Sequence, residues 1–463
     1  MLNLDVKVKN KIKIKTKKIH TNLDAFEIYS IFKNMANSVI LDSAKFDSNL
    51  GRYSFIGINS FLKIKAYKGQ CWINDKKQSQ DIFSCLKEII EEYSIENDTI
   101  FPFIAGGIGY FSYDLCRNIE NLPETAEEEL IIPETYFNFY DNIIIYDNET
   151  KEVMLTALGI LKSYEEVFNE IQYEIERSSK LIYTEKSIKI KDIFHSNFTK
   201  KQYMDTVEKV RDYIRNGDIY ITNLTQRFWC HSNAEPYKVY KTLRNINPAP
   251  FAAYINLEGF VILSSSPERF LKITNNHVET RPIKGTRPRT GNINEDERNK
   301  NELINSEKDK PELLMIVDLE RNDLSKVCSP NTVKVTELFK LEEYSTVYHL
   351  VSTIEGELKQ GKDCIDCIKA CFPGGSITGA PKIRSMEIIE ELEGIRRNVY
   401  TGAIGYIGFD KNIDLNIVIR TILMKDDKAY FGVGGGITWE SDKEAEYYET
   451  LDKAKALMEA LSI

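Results

Sequence analysis

The sequence predicts an α+β fold that contains large, mostly antiparallel sheets. Strand-like and helical runs are mixed along the 463 residues without the regular strand–helix–strand alternation that is typical of parallel sheets. Apolar residues make up 42% of the chain and charged residues 28%, which is the composition of a globular protein. No segment recurs at a fixed period of about 20–50 residues, so the sequence does not indicate a repeat architecture.

The first region, residues 1–180, mixes strands with amphipathic helices. Strand-like runs lie at 61–67, 142–147 and 153–158. Helices are predicted at 21–35, where apolar residues recur at i, i+3, i+4 and i+7, and at 81–92.

A polar, lysine-rich segment at 178–191 predicts a connector to the second region, residues 195–463. That region begins with a predicted helix at about 200–216. Strands follow in IYITNLTQRF and VILSSS, with glycine-rich turns between the elements.

The charge pattern argues against binding to nucleic acid. The net charge is −9 and the isoelectric point is near 5.4, whereas a phosphate backbone requires a basic face. Lysines alternate with apolar residues between Lys7 and Lys18, which predicts an amphipathic strand with a solvated lysine face. The sequence has neither a signal-peptide pattern nor an apolar run of about 18 residues, so we expect a cytoplasmic enzyme without a membrane span.

The eight cysteines favour a reducing compartment because most of them are scattered along the chain. Cys364, Cys367 and Cys371 form a cluster that resembles part of an iron–sulfur site. Their i, i+3, i+7 spacing also describes one buried helix face, and no fourth ligand is near. We therefore predict a buried helix face.

Lys284 is a candidate nucleophile. It lies in RPIKGTRPR (281–289), where two prolines and a glycine stiffen the chain and several arginines are close in sequence. Neighbouring cations favour the neutral form of a lysine, and only the neutral amine can attack carbon. A solvated basic loop at the surface is the alternative interpretation.

Glu268 in SPERF is a candidate general acid. A carboxylic acid in a pocket can protonate a leaving hydroxyl group if its pKa is raised. The preceding Ser266 and Pro267 also match the start of a helix, where a carboxylate suits the helix dipole. Capping alone would therefore explain this residue.

Three carboxylates predict a Mg²⁺ site. Glu446 and Glu449 lie three residues apart on one predicted helix face, and Glu312 precedes an apolar segment that we interpret as a strand. Oxygen ligands from separate elements, together with waters, suit octahedral Mg²⁺. An i, i+4 ion pair between Glu449 and Lys453 is the alternative.

Several further features suit an anionic small molecule. GVGGGI (432–437) offers consecutive backbone amides that predict an anion-binding nest. Arg420 ends an apolar run and needs an anionic partner, and Lys382 follows a Gly-Ala-Pro turn that predicts the start of a helix. His349 lies within a strand-like alternation, which is more typical of a hydrogen-bonded core histidine.

Seven ordered segments closely resemble the chorismate-utilising enzymes. They are SPERF (266–270), RPIKGTRPR (281–289), DLERNDL (318–324), FPGGSITGAPK (372–382), TGAIGY (401–406), GGGI (434–437) and EAEYYET (444–450). The dense match covers about residues 195–458, and a weaker one in the first region includes RYSFIG (52–57) and GGIGYFSYD (106–114). The resemblance implies two large antiparallel sheets packed together with outer helices, in which both regions fold as one unit.

Within this family, Lys284 in PIKGT is typical of members that form 4-amino-4-deoxychorismate for folate biosynthesis, whereas anthranilate-forming members commonly carry alanine there. ITGAPK in place of VSGAPK points the same way. The resemblance implies that Lys284 attacks ring C2 of chorismate while Glu268 protonates the departing C4 hydroxyl, and that ammonia then adds at C4. Anthranilate formation and a catalytically inert, partner-binding role are the alternatives.

The same match implies the remaining site residues. Mg²⁺ is held by Glu312 and Glu449, with Glu446 nearby. The polar groups of chorismate are held by Gly285, Thr286, Tyr400, Arg420, Gly434, Gly435 and Gly436, with Lys382 as a further anion-binding residue and His349 as an active-site histidine.

Two features qualify the resemblance. Ile221 stands where amine-forming relatives usually carry glutamine and isochorismate-forming relatives carry lysine, and an isoleucine cannot activate water. Relatives bind tryptophan in a region that matches Ser43, residues 50–53, Pro250, Phe251 and Ala252, although ILDS at 40–43 departs from the usual LLES.

The sequence has no GxCxG nucleophile turn, so a separate glutaminase subunit is expected to supply ammonia.

Overall fold

Two twelve-stranded sheets form the framework of the computed structural model, which describes residues 13–45, 50–178, 193–344 and 347–462. The first sheet contains β1 (Lys15–Ile19), β2 (Val39–Asp42), β3 (Tyr53–Gly57), β9 (Asn142–Asp147), β10 (Val153–Ala157), β11 (His195–Ser196), β12 (Ile221–His231), β13 (Phe251–Leu257), β14 (Phe260–Ser266), β20 (Gly379–Ala380), β23 (Thr421–Lys425) and β24 (Lys428–Ile437). The second contains β4 (Leu62–Tyr67), β5 (Gln70–Ile73), β6 (Lys76–Lys77), β7 (Gly106–Phe111), β8 (Thr135–Tyr140), β15 (Arg269–Thr274), β16 (His277–Arg281), β17 (Ile283–Pro288), β18 (Lys334–Glu343), β19 (Val347–Glu357), β21 (Ala403–Gly408) and β22 (Ile413–Ile417).

The helices lie outside the sheets. They are α1 (Ala25–Phe32), α2 (Ile82–Glu92), α3 (Tyr164–Ser178), α4 (Lys200–Arg215), α5 (Pro236–Ile246), α6 (Ile293–Ile304), α7 (Asp309–Val327), α8 (Cys364–Cys371), α9 (Lys382–Glu393) and α10 (Lys443–Leu461), with short 3₁₀ turns at Tyr113–Asn118 and Gly375–Ile377. The predicted α+β class with two large antiparallel sheets is confirmed.

Several central strands are buried on both faces, and the apolar run of β9 is an example. In β9, Ile143 and Ile145 face the core between the sheets, whereas Ile144 packs against the outer helices. Across that core, the ring of Phe55 on β3 meets the edge of Tyr406 on β21 at 5.6 Å between centroids. Alternation of side chains along an extended strand explains how one apolar run serves two layers.

Both sheets take strands from both regions of the sequence. In the first sheet β2 pairs with β13, and in the second β7 pairs with β21. Neither region closes its own sheet, because strands from one region lie beside strands from the other.

Most predicted elements are found near their expected bounds, but two predictions are wrong. The helix predicted at 21–35 covers only Ala25–Phe32, because Asp24 caps its first turn and accepts the Glu27 amide. The apolar segment after Glu312 is helix α7 and not a strand. The lysine-rich strand predicted between Lys7 and Lys18 lies largely outside the described residues, as does most of the connector at 178–191; Lys15, Lys17 and Lys18 belong to β1.

The cysteine cluster forms the buried face of α8, as its spacing predicted. Within the described chain, no helix combines the length and the apolar character needed to cross a membrane.

A buried ion pair ties α9 to β12. A guanidinium nitrogen of Arg397 lies 2.7 Å from a carboxylate oxygen of Glu393, with side-chain exposures of only 2% and 3%. Glu393 also accepts the backbone amide and the hydroxyl of Thr225, each at 2.8 Å. Arg397 further donates to the carbonyls of Ile377 and Asn223, so this pair anchors segments that border a large cavity.

We expect Arg397→Met to lower the free energy of unfolding by about 3–5 kcal/mol, because it leaves the Glu393 carboxylate buried without its counter-charge. The double variant Arg397→Met/Glu393→Gln should lose less than the sum of the two single variants. Urea unfolding measures these differences. Lys411→Met, which removes an exposed ion pair with Glu91, is the control and should change stability by less than about 1 kcal/mol. Strict additivity of the two core substitutions would contradict the assigned coupling.

Candidate active site

A cavity of about 640 Å³ contains most of the residues that the sequence predicted for the site. Its walls come from β17 and β19 of the second sheet, β24 of the first sheet, and helices α7 and α10. The predicted residues that line it are Glu268, Lys284, Gly285, Thr286, Glu312, His349, Tyr400, Arg420, Gly434, Gly435, Gly436 and Glu449. Asn223 and Ser376 also line it, although the sequence did not single them out.

Lys284 lies on β17 at a bulge in its pairing with β19. The register shifts between Lys284 and Thr286, and Gly285 at the bulge has a φ of +77°, which favours glycine. The ammonium group of Lys284 donates to the carbonyl of Ser376 at 3.0 Å. The bulge and this hydrogen bond hold the amine in the cavity, so the surface-loop interpretation of Lys284 is wrong.

The arginines near Lys284 in sequence do not surround its amine. Arg281 pairs with Glu342, and Arg287 pairs with Glu302 and Asp309. Lys284 instead lies near Glu312 and Glu268. Burial raises the pKa of both carboxyls, and the charge of Lys284 partly offsets that rise. The expectation that clustered cations surround this lysine is therefore wrong, because strand alternation turns its neighbours elsewhere.

Glu268 is a buried carboxyl in the short connection between β14 and β15. No helix begins there, so the capping interpretation is wrong. One carboxyl oxygen accepts the amide of Ile283 at 3.3 Å. Burial raises the pKa of Glu268, and the Ser376 hydroxyl and the Lys284 ammonium group only partly offset that rise. A buried acid of this kind beside an amine suits proton donation to a leaving group.

Glu320 is a buried acid that sequence reasoning did not assign. It lies on α7 and accepts the hydroxyl of Thr280 at 3.0 Å. Burial, together with the neighbouring Glu268, raises its pKa to about 8. Among the described residues it forms no salt bridge, so it is mostly uncharged at neutral pH. Its position in DLERNDL gave no signal of burial, because the facing strand is remote in sequence.

Thr286 and His349 face each other across β17 and β19. The Thr286 hydroxyl and the Nδ1 atom of His349 are 2.9 Å apart. Burial lowers the pKa of His349 to about 4, and the guanidinium group of Arg420 contributes to that shift. His349 is therefore a neutral hydrogen-bonding group on the cavity wall at neutral pH.

Arg420 supplies positive charge to the cavity. Its φ of +52° places it in the left-handed region, at the break between β22 and β23. Among the described residues, no side chain hydrogen-bonds or ion-pairs with its guanidinium group, and burial lowers its pKa. A half-buried guanidinium group without a counter-ion among the described residues is suited to an anionic ligand.

The glycine run forms part of strand β24 and not a nest. Gly434, Gly435 and Gly436 pair with Thr225, Leu224 and Asn223 of β12. A nest requires alternating helical dihedrals, which an extended strand lacks. Because glycine has no side chain, other groups can instead lie close to this strand. A Cβ atom on Gly432, for example, would lie only 2.3 Å from the ring of Tyr400.

The three predicted metal carboxylates lie beside this strand. A Cβ atom on Gly435 would lie 3.3 Å from a carboxylate oxygen of Glu446 and 3.4 Å from one of Glu449. A Cβ atom on Gly436 would lie 3.4 Å from a carboxylate oxygen of Glu312. Burial raises the pKa of Glu312 to about 7, and within the described part of the chain no donor hydrogen-bonds to one of its buried oxygens. Glu446 is buried behind the wall and does not line the cavity itself.

Lysines accompany these carboxylates. The ammonium group of Lys308 lies 3.1 Å from Glu446, and that of Lys453 lies 2.7 Å from Glu449. The predicted i, i+4 ion pair of Glu449 is therefore present inside the cavity. Across the described residues, no three side chains of His, Cys, Asp or Glu converge on one point that could hold a metal ion. The sequence did not indicate Lys308 because we predict a strand at the segment that contains Glu312. In helix α7, Lys308 and Glu312 are instead neighbours at i and i+4.

Lys382 does not reach the cavity. It opens α9 as predicted, but its ammonium group pairs with Asp323 and donates to the carbonyls of Cys371 and Pro373. The positive charge of Lys382, which we predicted to bind an anionic ligand, thus stabilises the segment that precedes Ser376.

Ile221 is buried beside Gly436 and is not among the residues that line the cavity. Its side chain lies 3.0 Å from the Cβ position of Gly436, which is itself 3.5 Å from the Lys284 ammonium group. This side chain cannot hydrogen-bond a water molecule beside the amine.

A second, smaller cavity contains the residues predicted to bind tryptophan. Ser43, Leu50, Tyr53, Pro250, Phe251 and Ala252 line it, together with Asp414 and Asn416. Asn416 donates to the carbonyl of Phe251 at 3.0 Å, which fixes the strand edge on one side. Tryptophan binding stays a prediction.

Comparison with known proteins identifies one family. Residues 37–459 match the chorismate binding enzyme family. Anthranilate synthase component 1 of Acetivibrio thermocellus is 37% identical over 456 residues, which cover 93% of this chain and 92% of that protein. Aminodeoxychorismate synthase component 1 of Escherichia coli strain K12 is 36% identical over 445 residues, which cover 95% of this chain and 96% of that protein. The crystal structure of anthranilate synthase component I from Streptococcus pneumoniae TIGR4 superposes with a TM-score of 0.80 at 30% identity, covering 89% of this chain and 94% of that chain.

We expect the imidazole of His349 to remain neutral at about pH 5, because burial lowers its pKa to about 4 from an unfolded value near 6.5. Between these values the unfolded chain binds a proton that the folded chain does not, so the free energy of unfolding should fall as the pH drops. Histidine NMR across this range, with His349→Gln to assign the signal, measures the titration. A midpoint near 6.5 would contradict the burial that we describe.

Proposed function

The chain belongs to the chorismate-binding enzymes, and on this premise we propose that it converts chorismate and ammonia to 4-amino-4-deoxychorismate. The observation that carries the proposal is the position of Lys284. Its amine lies in the large cavity beside the buried acid Glu268, with the Ser376 carbonyl as a hydrogen-bond partner. A nucleophile and an acid in one pocket suit a substitution that passes through a covalent enzyme intermediate.

In the proposed reaction, the Lys284 ammonium group first gives a proton to the Glu268 carboxylate, and the resulting neutral amine forms a bond to C2 of the ring. The ring double bond shifts, the C4–oxygen bond breaks, and the hydroxyl leaves as water with the proton of Glu268. Ammonia then bonds to C4, the double bond shifts back, and the bond to Lys284 breaks. Glu268 regains a proton from the new ammonium group, so the cycle closes without an external acid.

Other residues of the cavity would hold the substrate. The guanidinium group of Arg420, which has no side-chain partner among the residues that the structure describes, would bind a carboxylate, with Tyr400 beside it. Thr286 and the neutral His349 would donate or accept hydrogen bonds on the opposite wall. The glycines of β24 leave room for the ring, because a side chain there would fill the space above the carboxylates.

We infer that Mg²⁺ binds at Glu312 and Glu449, with Glu446 nearby. The buried Glu312 oxygen that has no hydrogen-bond donor in the described structure supports this assignment, and Mg²⁺ commonly uses one or two carboxylates together with waters and substrate oxygens. When bound, the ion would neutralise charge on a substrate carboxylate.

Anthranilate formation is the second candidate, because the relatives with that name are as similar to this chain as those named aminodeoxychorismate synthase. The reactions differ at the carbon that receives ammonia and in the fate of the enolpyruvyl group, which aminodeoxychorismate retains. Mass analysis of the product formed from chorismate, Mg²⁺ and an ammonium salt separates the two. Anthranilate as the product would overturn the proposed function.

We expect Lys284→Ala to lose far more activity than the ~10²–10⁴-fold typical of removing a general acid or base, because the covalent route disappears. Lys284→Arg should not rescue it, since a guanidinium group keeps the charge but is not a nucleophile. Both variants are assayed with ammonia as the donor, and intact mass of the wild-type protein with chorismate alone tests for an adduct.

Lys425→Ala is the matched control, because that lysine pairs with Asp426 outside the cavity. Near-normal aminodeoxychorismate formation by Lys284→Arg, without an adduct on the wild-type protein, would rule out the covalent route. A shift of Lys284→Ala towards anthranilate would indicate direct attack of ammonia at C2.

We also propose that a separate glutaminase subunit supplies the ammonia. The isolated chain should then use ammonium salts, faster at higher pH where more of the donor is neutral ammonia, and should not use glutamine. Product formation with each donor is measured before and after addition of a glutaminase subunit. Glutamine-dependent turnover by the pure chain would contradict this assignment.

A further inference from the structure

Each carboxylate of the proposed Mg²⁺ site has a lysine near it. Lys308 lies 3.1 Å from Glu446, and Lys453 lies 2.7 Å from Glu449. The charge of Lys284 acts on Glu312, whose pKa it lowers against the effect of burial. Three lysines and two of the carboxylates therefore line the cavity, and the third carboxylate, Glu446, is buried behind its wall.

Two of these carboxylates, Glu446 and Glu449, lie close together beside Gly435 of β24. A Cβ atom on Gly435 would lie 3.3 Å from Glu446, 3.4 Å from Glu449 and 3.7 Å from the ammonium group of Lys453. A divalent cation that enters this group of carboxylates meets ammonium groups already beside them. Like charges that share a partly buried group of carboxylates repel each other.

We propose that Lys308 is a displaceable counter-ion: a divalent cation that binds these carboxylates takes its place, and the released ammonium group binds a carboxylate of the substrate. This inference rests on the Mg²⁺ site and the chorismate substrate of the proposed function. It assigns to the chain a lysine that exchanges one anionic partner for another.

Lys308 is better suited to this exchange than Lys453. Among the described residues, the ammonium group of Lys308 makes one hydrogen bond, to Glu446, and its side chain is 44% exposed at the start of α7. Lys453 is also fixed by the carbonyl of Gly434 at 2.7 Å. When Lys308 leaves, Glu446 still accepts the hydroxyl of Ser441 at 2.7 Å, so the carboxylate keeps its position.

The exchange couples the two ligands. The cation releases an ammonium group that attracts the dianionic substrate, and the substrate holds that group away from Glu446. Each ligand should therefore raise the affinity for the other by the same factor.

Calorimetric titration of Mg²⁺ into the wild-type protein and Lys308→Met, with and without saturating chorismate and in the absence of ammonia, tests the inference. Without chorismate, Lys308→Met should bind Mg²⁺ more tightly, by about three- to tenfold, because no ammonium group competes for Glu446. With chorismate, the gain in Mg²⁺ affinity should be large in the wild-type protein and reduced in the variant. The readout is binding and does not depend on turnover.

Two further variants keep the result interpretable. Lys310→Met removes a lysine two residues away whose ammonium group lies over the ring of Phe339, and should bind Mg²⁺ like the wild-type protein. Lys308→Arg keeps the charge, so it should bind Mg²⁺ weakly in the absence of chorismate and should retain the coupling between Mg²⁺ and chorismate. If Lys308→Met does not fold, Lys308→Gln replaces it.

The inference is wrong if Lys308→Met binds Mg²⁺ with wild-type affinity or more weakly, or keeps the full coupling to chorismate. If the wild-type protein binds chorismate but no Mg²⁺, the metal assignment fails and this inference fails with it. A wild-type product other than aminodeoxychorismate overturns the proposed reaction but leaves the ion exchange standing, because the titration contains no ammonia.

Discussion

Charge balance inside a cavity is the constraint on which the site depends. Glu268, Glu312, Glu446 and Arg420 are largely withdrawn from bulk water, so each must be neutral, paired or directed at a ligand. The structure uses all three solutions. Burial raises the pKa of Glu268, lysines stand beside the carboxylates of α10, and the guanidinium group of Arg420 is left for an incoming anion. The chemistry that we propose uses this uneven distribution of charge.

The pairing of β12 with β24 provides the surface on which these charges are arranged. Because β24 carries glycines where it borders the cavity, Glu446 and Glu449 of α10 can lie against its backbone. Lys284 reaches the same place from the second sheet, where a bulge at Gly285 interrupts the pairing of β17 with β19. The site therefore forms where the two sheets come together, and small residues permit the close approach.

The sequence predicted most residues of this site but not their hydrogen-bond and ion-pair partners. Lys284, Glu268 and Arg420 were recognisable because their motifs resemble a known family, and the antiparallel α+β class followed from the mixture of elements. The neighbours of each charge were not recognisable, because they come from remote segments: Ser376 for Lys284, and Thr280 for Glu320. The segment after Glu312 resembles a strand in sequence because α7 is apolar on one face, and short windows of such a helix resemble a strand. The prediction that Lys382 binds an anionic ligand is wrong for a different reason. Its motif matches the family, but its ammonium group forms a buried ion pair with Asp323.

The interleaving of the two sheets has a consequence for how the protein is made. As the chain leaves the ribosome, β2 and β7 emerge long before β13 and β21, the partners that cover them. The nascent first half thus carries open strand edges and apolar faces until at least residue 251 has been synthesised, a state prone to association with other chains. Since Glu446 and Glu449 belong to α10, the candidate active site is completed only after residue 449 has been synthesised. Expression of this enzyme should accordingly depend on chaperones that hold the nascent chain more than on the stability of the finished fold.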